Sequence, residues 1–305
     1  MKVRRRALGY SLALWLGVVV LALGALPAGA LAQQGAGTPR SLVELVRVAD
    51  DVYMFRWDTY QAMFIVTDEG VIATDPIGLL NPAVPALYKA AIASVTDQPV
   101  RYVVYGHDHA DHITGGAVFA DTAQFVSQRQ AQPRIAARDD PRTPVPTIVF
   151  DDHMTLTLGG KTVELYWPGR AHSDNDLVLV YPAARVAFVA DVIAAETLPP
   201  MGVPGTNPDD YIAYLRWIEN NLDFDMLVAG HGPLGSMDTV RQMRGYLEDL
   251  VAAVRTARDE AIADPAVDVV TAVRAALAPR YGTWTDFDSR LPRNVDIVLR
   301  SQPAG

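Results

Sequence analysis

Tyr105-Gly106-His107-Asp108-His109-Ala110-Asp111-His112 packs three histidines and two aspartates into its last six positions, directly after the apolar run Val103-Val104-Tyr105. Imidazole and carboxylate together are the usual ligand set for zinc and similar borderline divalent ions. An extended run alternates its side chains, so His107 and His109 point to one side. Asp111 and His112 follow where the chain turns toward Thr114-Gly115-Gly116, placed to face a second ion. The stretch therefore predicts a metal site at the end of a strand.

Upstream of it, Val52 to Trp57 has strand composition, and Ala62 to Thr67 with Val71 to Thr74 predicts a hairpin about Asp68-Glu69-Gly70. Asp75-Pro76 ends that hairpin, with Asp75 either a turn cap or a partner for a ligand histidine. Ala83 to Val95 is helical in composition, and Val100 to Tyr105 is the strand that feeds the His/Asp stretch. Downstream, Gly115 to Phe119 predicts a helix packed close behind the loop, since glycine allows close backbone approach. Gln124 to Val126 reads as a short strand, and Pro133 to Pro146 as a surface loop with a turn of helix.

Strands follow at Thr147 to Phe150, Met154 to Leu158, Lys161 to Tyr166, Asp176 to Tyr181 and Arg185 to Ala190. Asp209 to Leu222 reads as a helix and Asp225 to Ala229 as a strand ending at Gly230-His231-Gly232-Pro233. From Met237 to about Ala263, Val240, Met243, Leu247, Leu250 and Val254 recur at helical spacing, the mark of a long amphipathic helix. Asp264-Pro265 ends it, a further helix covers about Val267 to Leu277, and the chain from Tyr281 on reads as irregular. Each half runs strands and then helices, which predicts a two-layered sheet core flanked by helices.

The chain has no cysteine among its 305 residues, which excludes disulfides, thiolate zinc sites, cysteine-held iron–sulfur clusters and a cysteine nucleophile. Lys2, Arg4, Arg5 and Arg6 precede an apolar run from about Tyr10 to Leu26, then Pro27 and the small-residue pattern Ala30-Leu31-Ala32. Basic head, apolar middle and A-x-A end predict a secretory signal peptide cleaved after Ala32, with a retained membrane anchor as the rival reading. The mature protein is then periplasmic or secreted, by Sec or twin-arginine export. Losing those four basic residues and no acidic one takes the formal net charge from −9 to −13, which excludes the footprint of nucleic-acid binding.

Five of the six histidines, with two aspartates, fall at predicted strand ends or in glycine-bearing loops: His107, His109, Asp111, His112, His172, Asp191 and His231. Loops that follow strand ends gather on one rim of a layered α/β protein, so these seven are expected to cluster. His153, beside Asp151 and Asp152, is read as a surface or turn histidine.

In this order, His107-x-His109-x-Asp111-His112, His172, Asp191 and Gly230-His231-Gly232 resemble the metallo-β-lactamase-fold hydrolase superfamily, over about Val46 to Val254. The resemblance implies an αββα sandwich of the α+β class, two mixed sheets packed face to face with helices on the outer faces. It implies that His107, His109 and His172 bind one zinc, Asp111, His112 and His231 a second, and Asp191 bridges both. Iron or manganese suits the same ligand types. It further implies that a metal-bridging hydroxide attacks an acyl C–N or C–O bond, while Asp111 orients it and handles its proton.

The substrate is expected to be a small molecule, with β-lactams and lactones or other esters leading. Asp191 resembles the thioesterase, lactonase and phosphodiesterase branches, whereas most β-lactamases of this fold carry cysteine or serine there. A phosphate or sulfate ester hydrolase and a mono-iron persulfide dioxygenase-like enzyme are the alternatives on the same fold. His109 in place of glutamate separates the chain from flavodiiron reductases. Trp57, Tyr60, Met63, Tyr166, Trp167 and Met201 are candidate apolar lining near the rim, and each also suits a core. The expected organisation is signal peptide 1–32, leader 33–45, catalytic domain 46–264, and a C-terminal helix with irregular tail over 265–305, in an oligomeric state left open.

Overall fold

The structure, a computed structural model, describes residues 42–201 and 206–301; the expected signal peptide 1–32 and positions 33–41 of the expected leader 33–45 lie outside the described residues, and the leader's last positions, 43–45, belong to the first strand. Strands β1 (Val43–Ala49), β2 (Val52–Trp57), β3 (Tyr60–Thr67) and β4 (Gly70–Thr74) form an antiparallel meander. Helix α1 (Val84–Ala93) then crosses to β5 (Val100–Val104), which pairs parallel with β4. The short α2 (Ala110–Ile113) and a 3₁₀ turn at Gly116–Phe119 lead to β6 (Gln124–Gln128), and α3 (Ala131–Arg138) to β7 (Ile148–Phe150). Together these strands make a seven-stranded sheet in chain order.

A five-stranded sheet follows, from β8 (His153–Leu158), β9 (Lys161–Tyr166), β10 (Val178–Tyr181), β11 (Val186–Val189) and β12 (Met226–Ala229). Its pairs are antiparallel except β11 with β12, which are parallel because α4 (Pro208–Asn221) crosses between them. Helices α5 (Met237–Ala263), α6 (Val269–Tyr281) and α7 (Phe287–Ser301) close the described chain.

The period-two alternation of the strands sorts their residues into layers. On β11, Val186 and Phe188 enter the apolar layer between the sheets, with Met63, Ile65, Val104 and Leu179. Ala187 and Val189 point the other way, to Tyr211, Leu215, Leu247 and Leu250 beneath the C-terminal helices. On β3, Ala62 and Phe64 pack with Tyr88 of α1 and Phe119. The central strands β4, β10 and β11 are buried on both faces, which is why they read as continuous apolar runs. The fold is two mixed sheets face to face between helices, the αββα arrangement that the resemblance implies.

Three elements differ from the sequence reading. β1 is an edge strand with one charged residue on each face (Glu44 and Arg47), which masks its alternation. α3 is a true helix rather than a loop with one turn: Pro133 sits in its first turn, where the N–H has no intrahelical partner to lose. The tail from Tyr281 on is not irregular, since α7 occupies Phe287–Ser301 with Pro292 inside it. The Asp288 carbonyl that Pro292 cannot engage receives Arg274 Nη2 at 3.4 Å. Phe287, Leu291, Val295 and Val298 recur at helical spacing and are buried. Among the described residues no helix is long and apolar enough to cross a membrane.

Candidate metal centre

The carboxyl ends of β4, β5, β11 and β12 reach one rim, and each delivers a polar side chain there: Asp75, the His107–His112 stretch, Asp191 and His231. His172 arrives in the loop before β10, which runs antiparallel to β11 and so starts at the same rim. Two glycines permit this crowding. A Cβ at Gly106 would lie 2.9 Å from Asp75 Oδ2, and one at Gly230 would lie 2.9 Å from Asp191 Oδ1.

All seven residues singled out by the sequence come together, in two groups that share Asp191. His107, His109, His172 and Asp191 form one, and Asp111, His112, Asp191 and His231 the other; within each, the ligand atoms lie within 4.8 Å of one another. Asp191 Oδ1 is 2.9 Å from His112 Nε2 and 3.2 Å from His231 Nε2, while its Oδ2 is 3.6 Å from His172 Nε2. The two oxygens of one carboxylate thus serve different groups. His153 stands apart, its Nε2 2.7 Å from Glu164 Oε2 and its ring stacked on Tyr166.

The donor set fits a divalent ion in each group. His107 is fully buried, yet neither ring nitrogen has a hydrogen-bond partner among the described residues, and the same holds for His172 Nδ1. Leaving such a buried nitrogen unsatisfied costs about 1–3 kcal/mol, and an ion that accepts its lone pair removes that cost. Burial pushes the His107 and His109 imidazoles down and His172 down to about 4, so all three present neutral nitrogens. Burial would also lower His112, but the neighbouring Asp191 and Asp75 carboxylates raise it well above the usual imidazole range. Burial pulls Asp191 upward, and His112 and His231 outweigh it and hold the carboxyl well below its ordinary value. A proton on His112 therefore balances Asp191 where a cation would replace it.

Supporting contacts come from residues whose roles the sequence left open. Asp75 is a partner for a ligand histidine: Oδ1 accepts the Gly106 N–H at 2.7 Å and Oδ2 lies 3.5 Å from His112 Nδ1. Asp108 and Asn175 make a reciprocal pair, Asp108 N–H to Asn175 Oδ1 at 2.7 Å and Asn175 Nδ2 to Asp108 Oδ1 at 2.7 Å. That pair ties the His107–His112 stretch to the His172 loop, and Arg138 of α3 donates to the same Asp108 carboxylate. The Tyr60 hydroxyl donates to Asp111 Oδ2 at 3.3 Å, and its ring packs edge-on to His231. Burial, then the Asp111 charge, keeps that phenol protonated.

A cavity of about 970 Å³ opens over His109, Asp111, His172, Asp191 and His231. Of the six expected lining residues only Tyr60 and Met201 line it. Met63 and Trp167 belong to the layer between the sheets, Tyr166 packs beneath the C-terminal helices, and Trp57 packs on the α1 side. The cavity's far wall, residues 283–293, was not anticipated, because it lies in the stretch read as irregular.

The sequence profile of the metallo-beta-lactamase superfamily matches residues 56–231. The chain is 29% identical over 180 residues to the 2,4-dinitroanisole O-demethylase subunit alpha of Nocardioides sp., covering 56% of this chain and 52% of that protein. It therefore spans about half the length of that relative. It is 22% identical over 226 residues to the metallo-beta-lactamase type 2 of Elizabethkingia meningoseptica, covering 70% of this chain and 86% of the relative. The solved metallo-beta-lactamase from Pontibacter korlensis superposes with a TM-score of 0.59 at 19% identity, over 68% of this chain and 99% of that one, and shares the fold.

Proposed function

Because the chain belongs to the metallo-beta-lactamase superfamily, whose members are metal-dependent hydrolases, we propose that it holds two adjacent zinc ions and hydrolyses an acyl C–N or C–O bond. The observation that carries this reading is Asp191, whose two carboxylate oxygens face the two histidine groups separately. A one-iron, persulfide dioxygenase-like site needs a single group; the second, Asp111, His112 and His231 around Asp191, supports two ions. Acyl substrates, β-lactams and lactones or other esters, are the leading reading, in keeping with the likeness to a metallo-beta-lactamase, and phosphate and sulfate esters are the second. We assign residues 1–32 to export, so that the protein meets its small-molecule substrate outside the cytoplasm; the mature N-terminus is then Gln33, and N-terminal sequencing that finds Met1 retained would contradict it.

Divalent ions held by His107, His109 and His172 and by Asp111, His112 and His231, with Asp191 between the groups, would supply Lewis acidity toward a water and a carbonyl oxygen. The chain's own residues do the rest. Burial keeps His107, His109 and His172 neutral and fixed in place. Asp75 faces His112 Nδ1, which leaves Nε2 directed at Asp191 and the second group. Tyr60 donates to one oxygen of Asp111 and thereby orients the carboxylate. Asp111 can take the proton of the attacking water and pass it to the leaving group. Ser173 is a loop hydrogen-bonder, its Oγ accepting the Asn175 N–H at 3.1 Å.

The test is a panel of β-lactams, acyl lactones, thioesters, and aryl phosphate and sulfate esters offered to the metal-loaded protein. At least one acyl substrate should turn over, and Asp111→Ala should slow it by about 10²–10⁴-fold while folding is kept. Turnover of phosphate or sulfate esters alone would replace the acyl reading, and unchanged turnover in the variant would remove Asp111 from the mechanism.

A further inference from the structure

The tip of the β2–β3 hairpin reaches the other sheet. Trp57 and Tyr60 pair across Asp58-Thr59, and just past this turn the chain bonds to the loop that carries His231. Gln61 N–H donates to the Gly230 carbonyl at 2.8 Å, and Gly232 N–H donates to the Thr59 carbonyl at 3.3 Å. Tyr60 and His231 face each other between these bonds as an antiparallel bridge. β3 belongs to the seven-stranded sheet, whereas β12, which ends at Ala229, is the edge of the five-stranded one. The bridge joins the two sheets at the rim and gives the chain leaving β12 the backbone partner that an edge lacks.

Side chains reinforce the join. The Gly232 carbonyl accepts from Arg56 Nη2 at 3.2 Å and from Nε2 of Gln61, which is fully buried. Arg56 is itself fixed by Glu44, Nη1 to Oε2 at 3.1 Å. Tyr60 reaches the candidate ligands directly. Its hydroxyl donates to Asp111 Oδ2 at 3.3 Å, its ring stands edge-on to His231 with centroids 4.3 Å apart, and the His112 ring lies 5.5 Å away. The two it holds most closely are exposed members of the second group: the Asp111 side chain is 31% exposed and that of His231 28%, against 0% for His112. An exposed side chain keeps rotamer freedom that an ion must remove on binding, and a partner outside the group removes it beforehand.

We propose that the β2–β3 turn is a strap on the second group: Arg56 and Gln61 fix the His231 loop, and Tyr60 is the positioning residue that holds Asp111 and His231 ready for an ion. Affinity for the second ion is then set by a hairpin that supplies it no ligand. The loops of the first group, His107, His109 and His172, are tied instead by the Asp108–Asn175 pair, so the strap acts on one ion and not on the other. The proposal rests on the two-ion reading.

Zinc binding to the metal-free protein, measured by competition with a chromophoric chelator, resolves two stepwise constants. The constant that survives in His231→Ala belongs to the first group. Tyr60→Phe keeps the ring and loses the hydroxyl, and should weaken the second ion about tenfold while the first constant stays within about twofold. Gln61→Leu alters a residue that is in neither group and should weaken the same ion by about threefold or more. A merely structural role would lower both constants together. Two zincs in the wild type with the second constant unchanged in both variants, or with both constants falling alike, in proteins whose circular dichroism matches wild type, overturns the strap and leaves the two-ion reading standing. A single zinc constant in the wild type overturns the two-ion reading and the strap with it.

Discussion

At the scale of single residues, burial decides which groups carry charge. Asp176 shows this beside the centre: its Oδ2 accepts the Ser173 N–H, its Oδ1 has no partner among the described residues, and burial pushes its carboxyl up to about 7. A carboxyl raised from its ordinary 3.8 adds stability that is fully present below that value and lost as pH rises through 7. Asparagine in its place has no such slope. The melting temperature of metal-free Asp176→Asn, relative to wild type, should therefore climb between about pH 4 and 7 and level off above; a difference constant across that range would contradict the assignment. The candidate ligand residues were legible in the sequence because five of six histidines, with two aspartates, fall at predicted strand ends or in glycine-bearing loops. Tyr60 was legible only as rim lining, since its bond to Asp111 depends on where β3 begins relative to a loop 51 positions away.

At the scale of elements, two of the site's loops, those carrying His107–His112 and His172, are held in register by a few polar contacts. Asn175 is the main tie, bonded both ways to Asp108, and both residues are buried. Asn175→Ala leaves the Asp108 N–H and part of its carboxylate without a partner, so stability should drop by about 1–3 kcal/mol, read from the urea midpoint. Zinc affinity of the His107, His109 and His172 group should fall with it, read by chelator competition; a loss in neither would show that the loops align without this pair. The elements best read from sequence are those with a long uninterrupted pattern, above all α5, whose bounds Met237–Ala263 are those the periodicity marks. α7 was hidden by Pro292 and by arginines that look like a solvated tail until the fold turns them toward a cavity. β1 was hidden by its edge position, where only one residue in seven is fully buried.

At the scale of the whole molecule, two covered sheets make the rim rigid and the C-terminal helices complete what the strands begin. α5, α6 and α7 bury one face against the second sheet through Tyr246, Leu250, Val273, Leu277 and Val295. Burying side chains of this size contributes roughly 1.5–3 kcal/mol each, enough to hold α7 at the cavity as part of the domain. The layered architecture was legible because strand and helix patterns follow each other in both halves. The substrate was not, because the cavity is lined by surfaces that meet only in the fold: the start of β3, the segment after Asp191 and one face of α7.

Metal analysis of the purified protein decides whether the two histidine groups joined by Asp191 hold two ions. Protein purified without added metal, dialysed and measured by inductively coupled plasma mass spectrometry should carry two zincs per chain, falling to one or fewer in Asp191→Ala. A single iron per chain in the wild type, or two zincs retained in Asp191→Ala, would contradict the two-ion reading.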